Sequence, residues 1–490
     1  MKQNSELFEL VNSLTSSEKR YFRLSAGLQK GNKIYLTLFN IIDSQKVYDE
    51  EKVKMKFNKN SSGKNLSFSK NYLYKMIFRS LMNIYNENST DSKLRTILGR
   101  SRIMYEKALF PQYFKYLTAG RELAKKHERF TRVIDFLETE RQLSKKEDLI
   151  KKNTEDNYNE EISYLEKIRN NNIYKRAVSA LLSLRRTEGV VRNPEAEKKI
   201  KEIFSTPELR DEKNAMSVTA KEKFYFANMI ASEISGNEEK VFEYSRKRFR
   251  LISNHREIFN QFLFNNYKDA LGDLILAAAE TGKRTEAERL YHKYKREFPE
   301  GKTENIDSKC LYYKFMLSKV DFGNDEFRNK ELFESAEKFL NRNKGKITID
   351  NFNMIYYRLS EGYLKTGNYE ESLKTINSLF SHKTLKYFPF LGQYSRMLNI
   401  LIHYENGNYR LLGYLLESTS KFLKSRSKFY RTESVVLKLI KDLSKTKSEE
   451  DKIRKLRKFA DAVSKLKKDK YEKNAIKFFD YLKWAEGKIN

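Results

Sequence analysis

Apolar residues recur every three or four positions along most of the chain, and short polar stretches interrupt them. Residues 69–85 give a clear example, because Leu73, Ile77 and Leu81 fall on one side of a helix. This spacing predicts amphipathic helices rather than strands, since an α-helix turns once in 3.6 residues. The chain is therefore predicted to be all-α.

Residues 1–91 are predicted to form an N-terminal helical domain. Thr15-Ser16-Ser17-Glu18 is a capping box, in which the Thr15 side chain caps a helix and Glu18 bonds back to the backbone of Thr15. Asn86–Asp91 is the expected domain boundary. Further helices are predicted over three segments, which are 33–42, 49–57 and 69–85.

The second half of the chain repeats a glycine followed by a polar residue. Successive glycines are 46, 41, 44 and 40 residues apart, and each lies between two apolar-periodic stretches. A glycine that ends a helix in the left-handed conformation, at a near-constant interval, is typical of stacked helical hairpins. The five repeat-turn glycines are Gly236, Gly282, Gly323, Gly367 and Gly407.

Two of these units resemble the tetratricopeptide repeat in the spacing of small and large residues. Around Gly367 the matching residues are Tyr356, Leu359, Ser360, Tyr363, Ser372 and Ile376. Around Gly282 they are Leu271, Leu274, Ile275, Ala278, Ala287 and Tyr291, followed by Pro299. In the Gly407 unit the resemblance is weaker, because Arg396, Asn399 and His403 occupy the key positions of the first helix.

The resemblance implies a right-handed α-solenoid whose groove holds a segment of another protein. The interval of 40–46 residues exceeds the family's period of about 34, so either the helices or their connections are longer here. The whole chain is also similar to uncharacterised bacterial helical-repeat proteins, which implies no function. Three divisions follow the N-terminal domain, namely irregular helical repeats over 92–220, tetratricopeptide-like repeats over 221–428 and basic capping helices over 429–490.

The formal net charge is +31. Such a charge favours anionic partners, although AT-biased coding also enriches lysine in any protein. Three clusters hold the candidate anion- or nucleic-acid-binding residues, and the alternative is that these are solvated helix faces. The clusters are Arg246, Lys247, Arg248 and Arg250; Lys421, Lys424, Arg426, Lys428 and Arg431; and Lys452, Arg454, Lys455, Arg457 and Lys458.

Catalytic and metal-binding patterns are not evident in the sequence. The five histidines lack metal-ligand spacing, and Cys310, the single cysteine, lies in an apolar stretch where a buried side chain is expected. We therefore expect no enzymatic activity and no cofactor. One cysteine allows no disulfide within the chain, and the N-terminus lacks an apolar signal core, so a cytoplasmic location without membrane insertion is expected.

Three functions remain open at this point. The first is a non-enzymatic scaffold that binds an unknown protein partner through the tetratricopeptide-like groove. The second is RNA or DNA binding through the basic helix faces. The third is a transcription regulator in which 49–57 and 69–85 form a helix-turn-helix, with Ser69, Lys70, Tyr72 and Lys75 near the start of the reading helix.

Overall fold

The computed structural model is all-α, apart from two strands of two residues, Asn260–Gln261 and Phe264–Asn265. Two compact units are formed, one from Met1–Glu161 and Gln261–Leu263 and the other from Ile162–Asn260 and Phe264–Asn490. The predicted divisions at 91, 220 and 428 stay predictions. The structure describes residues 3–27, 34–60, 65–86, 89–144, 154–261, 264–299, 306–322, 326–475 and 478–489.

The first unit contains eight helices within the described residues, followed by the first turns of α9, Thr154–Glu188. The eight helices are α1 Gln3–Ser13, α2 Ser16–Gly27, α3 Ile34–Asp43, α4 Glu50–Asn60, α5 Leu66–Asn86, α6 Thr90–Glu106, α7 Phe110–Lys126 and α8 Phe130–Ser144.

The predicted capping box at the start of α2 is confirmed. The Thr15 amide donates to Glu18 Oε2 at 2.6 Å, and the Glu18 amide donates to Thr15 Oγ1 at 3.3 Å. These two bonds satisfy backbone donors that the first helical turn leaves without partners. Helices α1–α5 then share one buried core, which includes Phe39 and Ile77.

The second unit continues with fifteen α-helices within the described residues. They are α10 Pro194–Phe204, α11 Val218–Ile234, α12 Glu238–Asn254, α13 Arg256–Phe259, α14 Asn266–Glu280, α15 Arg284–Glu297, α16 Ile306–Leu317, α17 Glu326–Arg342, α18 Ile349–Lys365, α19 Tyr369–Ser381, α20 Pro389–Glu405, α21 Tyr409–Lys424, α22 Arg431–Leu443, α23 Glu449–Leu466 and α24 Tyr481–Ile489. Four 3₁₀ turns are Pro207–Leu209, Glu212–Asn214, Lys383–Tyr387 and Glu472–Asn474.

Helices of the second unit contact both their next neighbour and the next but one. For example, α18 contacts α19 and also α20, and α20 contacts α21 and also α22. This is the neighbour pattern of stacked hairpins and is compatible with the predicted solenoid, whose hand stays a prediction. Within the parts of the chain that the structure describes, no helix combines the length and the apolar character needed to cross a membrane.

Four of the five repeat-turn glycines adopt the left-handed conformation that the sequence predicts. Gly236, Gly282, Gly367 and Gly407 have φ values of 73°, 73°, 82° and 71°. At each one the following amide bonds to a carbonyl five residues back, as in Asn368 N to Tyr363 O at 2.9 Å, which is the Schellman arrangement. Gly323 lies outside the described residues.

Three further turns use the same arrangement without glycine. Ala108, Glu128 and Ser427 have φ values of 56°, 50° and 53°, and the amide after each also bonds five residues back. A non-glycine residue in this region costs about 1–2 kcal/mol, so the surrounding helices must hold these turns in place. The repeated turn is therefore more frequent in the structure than the glycines indicate.

Small residues bring α18 and α19 together as the repeat resemblance implies. The Ser360 hydroxyl and the Ser372 carbonyl are 3.0 Å apart, and the Ser372 hydroxyl donates to the Ser360 carbonyl at 2.7 Å. Both side chains are fully buried. The paired hydroxyls satisfy one another in an interface that larger residues would force apart.

A buried group of charged and polar residues joins distant parts of the second unit, and we name it the Arg192 clasp. Arg192 binds Glu433 and, at 2.6 Å, Glu472, and its guanidinium stacks on Tyr430 at 4.3 Å. Thr432 donates to Glu472 through its hydroxyl at 2.7 Å. Arg192 is only 6% exposed, so its charge depends on these partners rather than on water.

The last residues of the chain pack against helices that lie far earlier in sequence. Asn474 donates to the Val191 carbonyl at 2.7 Å, and Tyr357 donates to the Phe478 carbonyl at 3.0 Å. Trp484, the only tryptophan, donates to Glu405 at 2.6 Å. These contacts tie residues 474–484 to helices far earlier in the sequence, and the capping role predicted for 429–490 stays a prediction.

Replacement of the repeat-turn glycines by alanine is expected to separate conformational cost from steric cost. An alanine Cβ at 367 meets nothing within 4 Å, so Gly367→Ala should destabilise the protein by about 1 kcal/mol through its positive φ alone. At 236 the Cβ would also lie 2.0 Å from Asn474 Oδ1, so Gly236→Ala should cost about 1–3 kcal/mol more. Urea unfolding measures both costs, and equal losses would contradict the close contact at 236.

Removal of the Arg192 charge is expected to release the C-terminal segment. Arg192→Met leaves two carboxylates buried without a cation and should cost about 3–5 kcal/mol. Because Trp484 is buried in that segment, its fluorescence should shift to the red at a lower urea concentration than in the native protein. Arg186→Met is the matched control, since Arg186 forms an exposed pair with Asp350 at 3.9 Å that contributes less than about 1 kcal/mol. Equal midpoints for both variants would refute the role of the clasp.

Candidate anion-binding site

The three predicted basic clusters lie on several helices. The first is on α12, which packs on α11 and α14. The second runs from the last turns of α21 to the first residue of α22, and the third is on α23, which packs on α22 and α24. The structure therefore gives no single element that carries all three clusters.

Arg248 belongs to the core and not to the predicted binding surface. It is 4% exposed, donates to Glu222 at 2.6 Å and to Asp273 at 2.7 Å, and stacks on Phe226. Its position follows the helical period of the buried face of α12, since Val241, Ser245, Arg248 and Ile252 are three or four residues apart and all buried. That spacing is visible in the sequence and would have placed Arg248 inside.

Six other predicted cations are paired with carboxylates. Such neighbours reduce the positive potential that an anionic ligand would meet. The pairs are Lys247 with Glu243, Lys421 with Glu417, Lys428 with Glu188, Arg431 with Asp469, Lys452 with Glu449 and Arg454 with Asp451.

The remaining predicted cations have no carboxylate within 4 Å among the residues that the structure describes. Lys455 instead donates to the Thr446 hydroxyl at 2.6 Å. The other six are exposed, with Arg426 and Lys424 each close to a phenylalanine ring. They are Arg246, Arg250, Lys424, Arg426, Arg457 and Lys458.

Two arginines converge on the ring of Phe422, at the end of α21. The guanidinium carbon of Arg426 lies 4.0 Å from the ring centroid, and that of Arg396 lies 4.1 Å from it. Arg396 comes from α20 and also lies 6.0 Å from the Phe380 ring. We name Arg396, Phe422 and Arg426 the α20–α21 arginine site.

Arg396 differs from every other buried or half-buried arginine in the described ranges. Each of the others has a carboxylate within 4 Å, whereas Arg396 has none. Burial lowers the pKa of Arg396, and the neighbouring charge of Arg426 lowers it further. A half-buried cation beside a like charge is costly unless an anion offsets it. The other arginines of this class are Arg121, Arg129, Arg132, Arg141, Arg185, Arg192, Arg248 and Arg358.

The two guanidiniums of the arginine site are chemically suited to a carboxylate or phosphate group. Two guanidiniums offer planar sets of donors, and arginine pairs with such anions through two parallel hydrogen bonds. The rings of Phe422 and Phe380 provide an apolar surface beside the donors. An anionic ligand bound here would gain charge pairing in a partly desolvated setting.

The site continues along α20 as a polar stripe that the sequence had marked as a departure from the repeat pattern. Asn399 and His403 follow Arg396 at helical spacing and are 9% and 6% exposed. His403 approaches the Asn408 amide at 3.2 Å, and burial lowers its pKa. The polar residues that weakened the repeat resemblance thus include the half-buried arginine that has no described carboxylate.

Three of the four residues predicted near the start of the DNA-reading helix are buried or already have partners. Ser69 is buried, and Lys70 binds Glu50 at 2.7 Å and the Tyr48 hydroxyl at 2.9 Å. Tyr72 packs edge-on against Tyr35, which leaves Lys75 as the one residue of the predicted four that lacks a described partner.

The groups with potential for catalysis or metal binding are dispersed in the described parts of the chain. No set of three histidine, cysteine, aspartate or glutamate side chains there could hold a metal ion. Cys310 is buried, as the sequence predicts, and burial raises the pKa of its thiol to about 12. The thiolate is therefore scarce at neutral pH, which makes Cys310 a poor nucleophile.

Comparison with known proteins gives no family for this chain. A scan against protein-family models finds no match, and a search of curated proteins also finds none.

Opposite effects on stability are expected when the two kinds of buried arginine are replaced by methionine. Arg396→Met removes a half-buried charge that has no carboxylate within 4 Å in the described ranges, so the melting temperature should rise or remain unchanged. Arg248→Met removes the buried guanidinium from Glu222, which keeps only Lys223 at 2.8 Å, and should cost about 3–5 kcal/mol. Thermal and urea unfolding without added anions measure both effects. A loss at Arg396 equal to that at Arg248 would show that Arg396 has a stabilising partner of its own.

Proposed function

We propose that this chain is a non-enzymatic binding protein that holds an acidic segment of another protein along α20 and α21. The observation that carries the proposal is Arg396, a half-buried guanidinium that shares the Phe422 ring with Arg426 and has no described carboxylate. A carboxylate from a partner would supply the missing charge.

The exposed face of α21 extends the arginine site into a surface suited to a protein chain. Leu411, Tyr414 and Phe422 share one side of this helix by their spacing, and Tyr414 is 70% exposed. Tyrosine and arginine are enriched where proteins bind one another, because they combine apolar area with hydrogen-bond donors. A segment lying along α21 could place apolar groups on Leu411 and Tyr414 and an acidic group at the arginine site.

Nucleic-acid binding is the second candidate, and the cations without carboxylates favour it. Arg457 and Lys458 are exposed on α23, and Arg246 and Arg250 are exposed on α12. Phosphate neutralisation needs such cations along a continuous track. The first cluster is on α12, which packs on α11 and α14, whereas the other two clusters are on α21–α23, and half of the predicted cations are already paired or buried, so we favour the protein partner.

Titration with two labelled probes distinguishes these functions. The first probe is a peptide of alternating glutamate and leucine, and the second is a single-stranded oligouridine of the same net charge. We expect the peptide to bind more tightly, and both Arg396→Met and Arg426→Met to weaken its binding by about 10-fold or more. Arg246→Met on α12 is the matched control and should have little effect.

The outcomes separate cleanly. Tighter oligouridine binding that falls steeply with salt and depends on Arg457 or Arg246 would favour nucleic acid over an acidic protein. Peptide binding that is equal in Arg396→Met and Arg246→Met would contradict the arginine site. In a parallel measurement, added peptide should raise the melting temperature of the native protein and not that of Arg396→Met.

A further inference from the structure

Helix α5 of the first unit exposes an apolar face that its own unit leaves uncovered. On the opposite face of α5, the side chains of Leu73, Met76 and Ile77 are buried. On the solvent side, Phe68 is 72% exposed, and Met82 is 57% exposed. A surface helix ordinarily presents polar residues there, so exposed phenylalanine and methionine on this side mark an interaction surface.

The exposed residues of α5 have the spacing of a helix-packing seam. Phe68, Asn71, Lys75, Phe78 and Met82 follow one another at intervals of three, four, three and four residues. That 3.5-residue repeat is the pattern that one helix presents to another in a coiled coil, and the seam contains two polar residues, Asn71 and Lys75. The seam therefore fits a partner helix better than a flat membrane surface or a nucleic-acid strand.

The charges on α5 define the chemistry of that partner. The helix contains Lys70, Lys75 and Arg79 and no acidic residue. Lys70 is neutralised by Glu50 at 2.7 Å, whereas Lys75 and Arg79 are exposed and have no carboxylate within 4 Å in the described ranges. A helix packed on the seam would thus place its own residues against two unneutralised cations.

A second copy of the chain is a poor occupant of this seam. Lys75 lies at the centre of the five seam residues, so two copies packed antiparallel would bring Lys75 against Lys75, with Arg79 close by. Two copies packed in parallel and in register would do the same. Like charges at such positions oppose pairing, and coiled coils use them to exclude wrong partners.

We propose that α5 docks an amphipathic helix of a partner protein that carries acidic residues beside its apolar seam. The partner's leucine-like side chains would pack on Phe68, Phe78 and Met82, and its carboxylates would pair with Lys75 and Arg79. This surface belongs to the first unit and is independent of the arginine site of α20–α21, so the two proposals can fail separately.

The test uses the full chain and two designed helical peptides that differ only in charge. Both carry leucine at alternating intervals of three and four residues, and one has glutamate where the other has lysine beside that seam. Fluorescence anisotropy should show saturable binding of the glutamate peptide and at least about 10-fold weaker binding of the lysine peptide. A double variant, Phe78→Ser with Met82→Ser, should weaken glutamate-peptide binding by about 10-fold or more.

A charge reversal keeps the test independent of folding defects. Lys75→Glu with Arg79→Glu should reverse the preference, so that the lysine peptide binds more tightly than the glutamate peptide. Met216→Ser, at an exposed apolar side chain of the second unit that lies outside both proposed binding surfaces, is the control and should leave binding unchanged.

Four results would overturn the proposal. They are equal binding of the two peptides, absence of saturable binding, a self-association that the Phe78 and Met82 double variant abolishes, and tighter binding of phosphatidylserine vesicles or oligouridine that depends on Phe78. If the glutamate helix peptide does not bind at α5, while Arg396→Met still weakens binding of the alternating glutamate and leucine peptide, this inference alone is refuted and the proposed function stands.

Discussion

Arg192 is buried from water and pairs with two carboxylates that lie 241 and 280 residues later in the chain. A guanidinium buried to this extent is tolerated only where oppositely charged partners meet it at close range, so Glu433 and Glu472 must reach it for the second unit to close. Neighbouring contacts also join residues near Arg192 to much later residues, since Asn474 donates to the Val191 carbonyl and Phe390 packs against Gly189. The stacking of hairpins thus proceeds under a constraint that links the start of the unit to its end.

Local features of this fold could be predicted from sequence because their causes are local. The Thr15–Glu18 capping box and the glycine turns each depend on a few adjacent residues, and the structure reproduces them wherever it describes them. Glu128 adopts the same left-handed turn although it is not a glycine, so its sequence does not predict the turn. The Arg192 clasp was beyond prediction for another reason, since nothing near Arg192 indicates which distant glutamates it will meet.

The candidate site was predictable only in part, because a basic residue in sequence does not reveal whether it is paired. Arg248 and Arg426 lie in similar cation-rich stretches, yet one is a core ion pair and the other an exposed group beside a ring. Arg396 stood out in sequence as a polar residue at a position where the repeat pattern expects an apolar or aromatic one. The structure adds what the sequence could not, namely that this guanidinium and Arg426 share one phenylalanine and that Arg396 has no described counter-charge.

The order in which the clasp residues are synthesised has a consequence for the nascent chain. At about 5–20 residues per second, Glu433 leaves the ribosome about 10–50 s after Arg192. During that interval the hairpins between them can form through local contacts, while Arg192 remains hydrated and Phe390 and Tyr357 lack part of their final cover. The core of the second unit is therefore completed only after residue 484 has been synthesised. A chain without residues 471–490 would keep Glu433 beside Arg192 but would lose Glu472 and the contacts that Phe478 and Trp484 make with earlier helices.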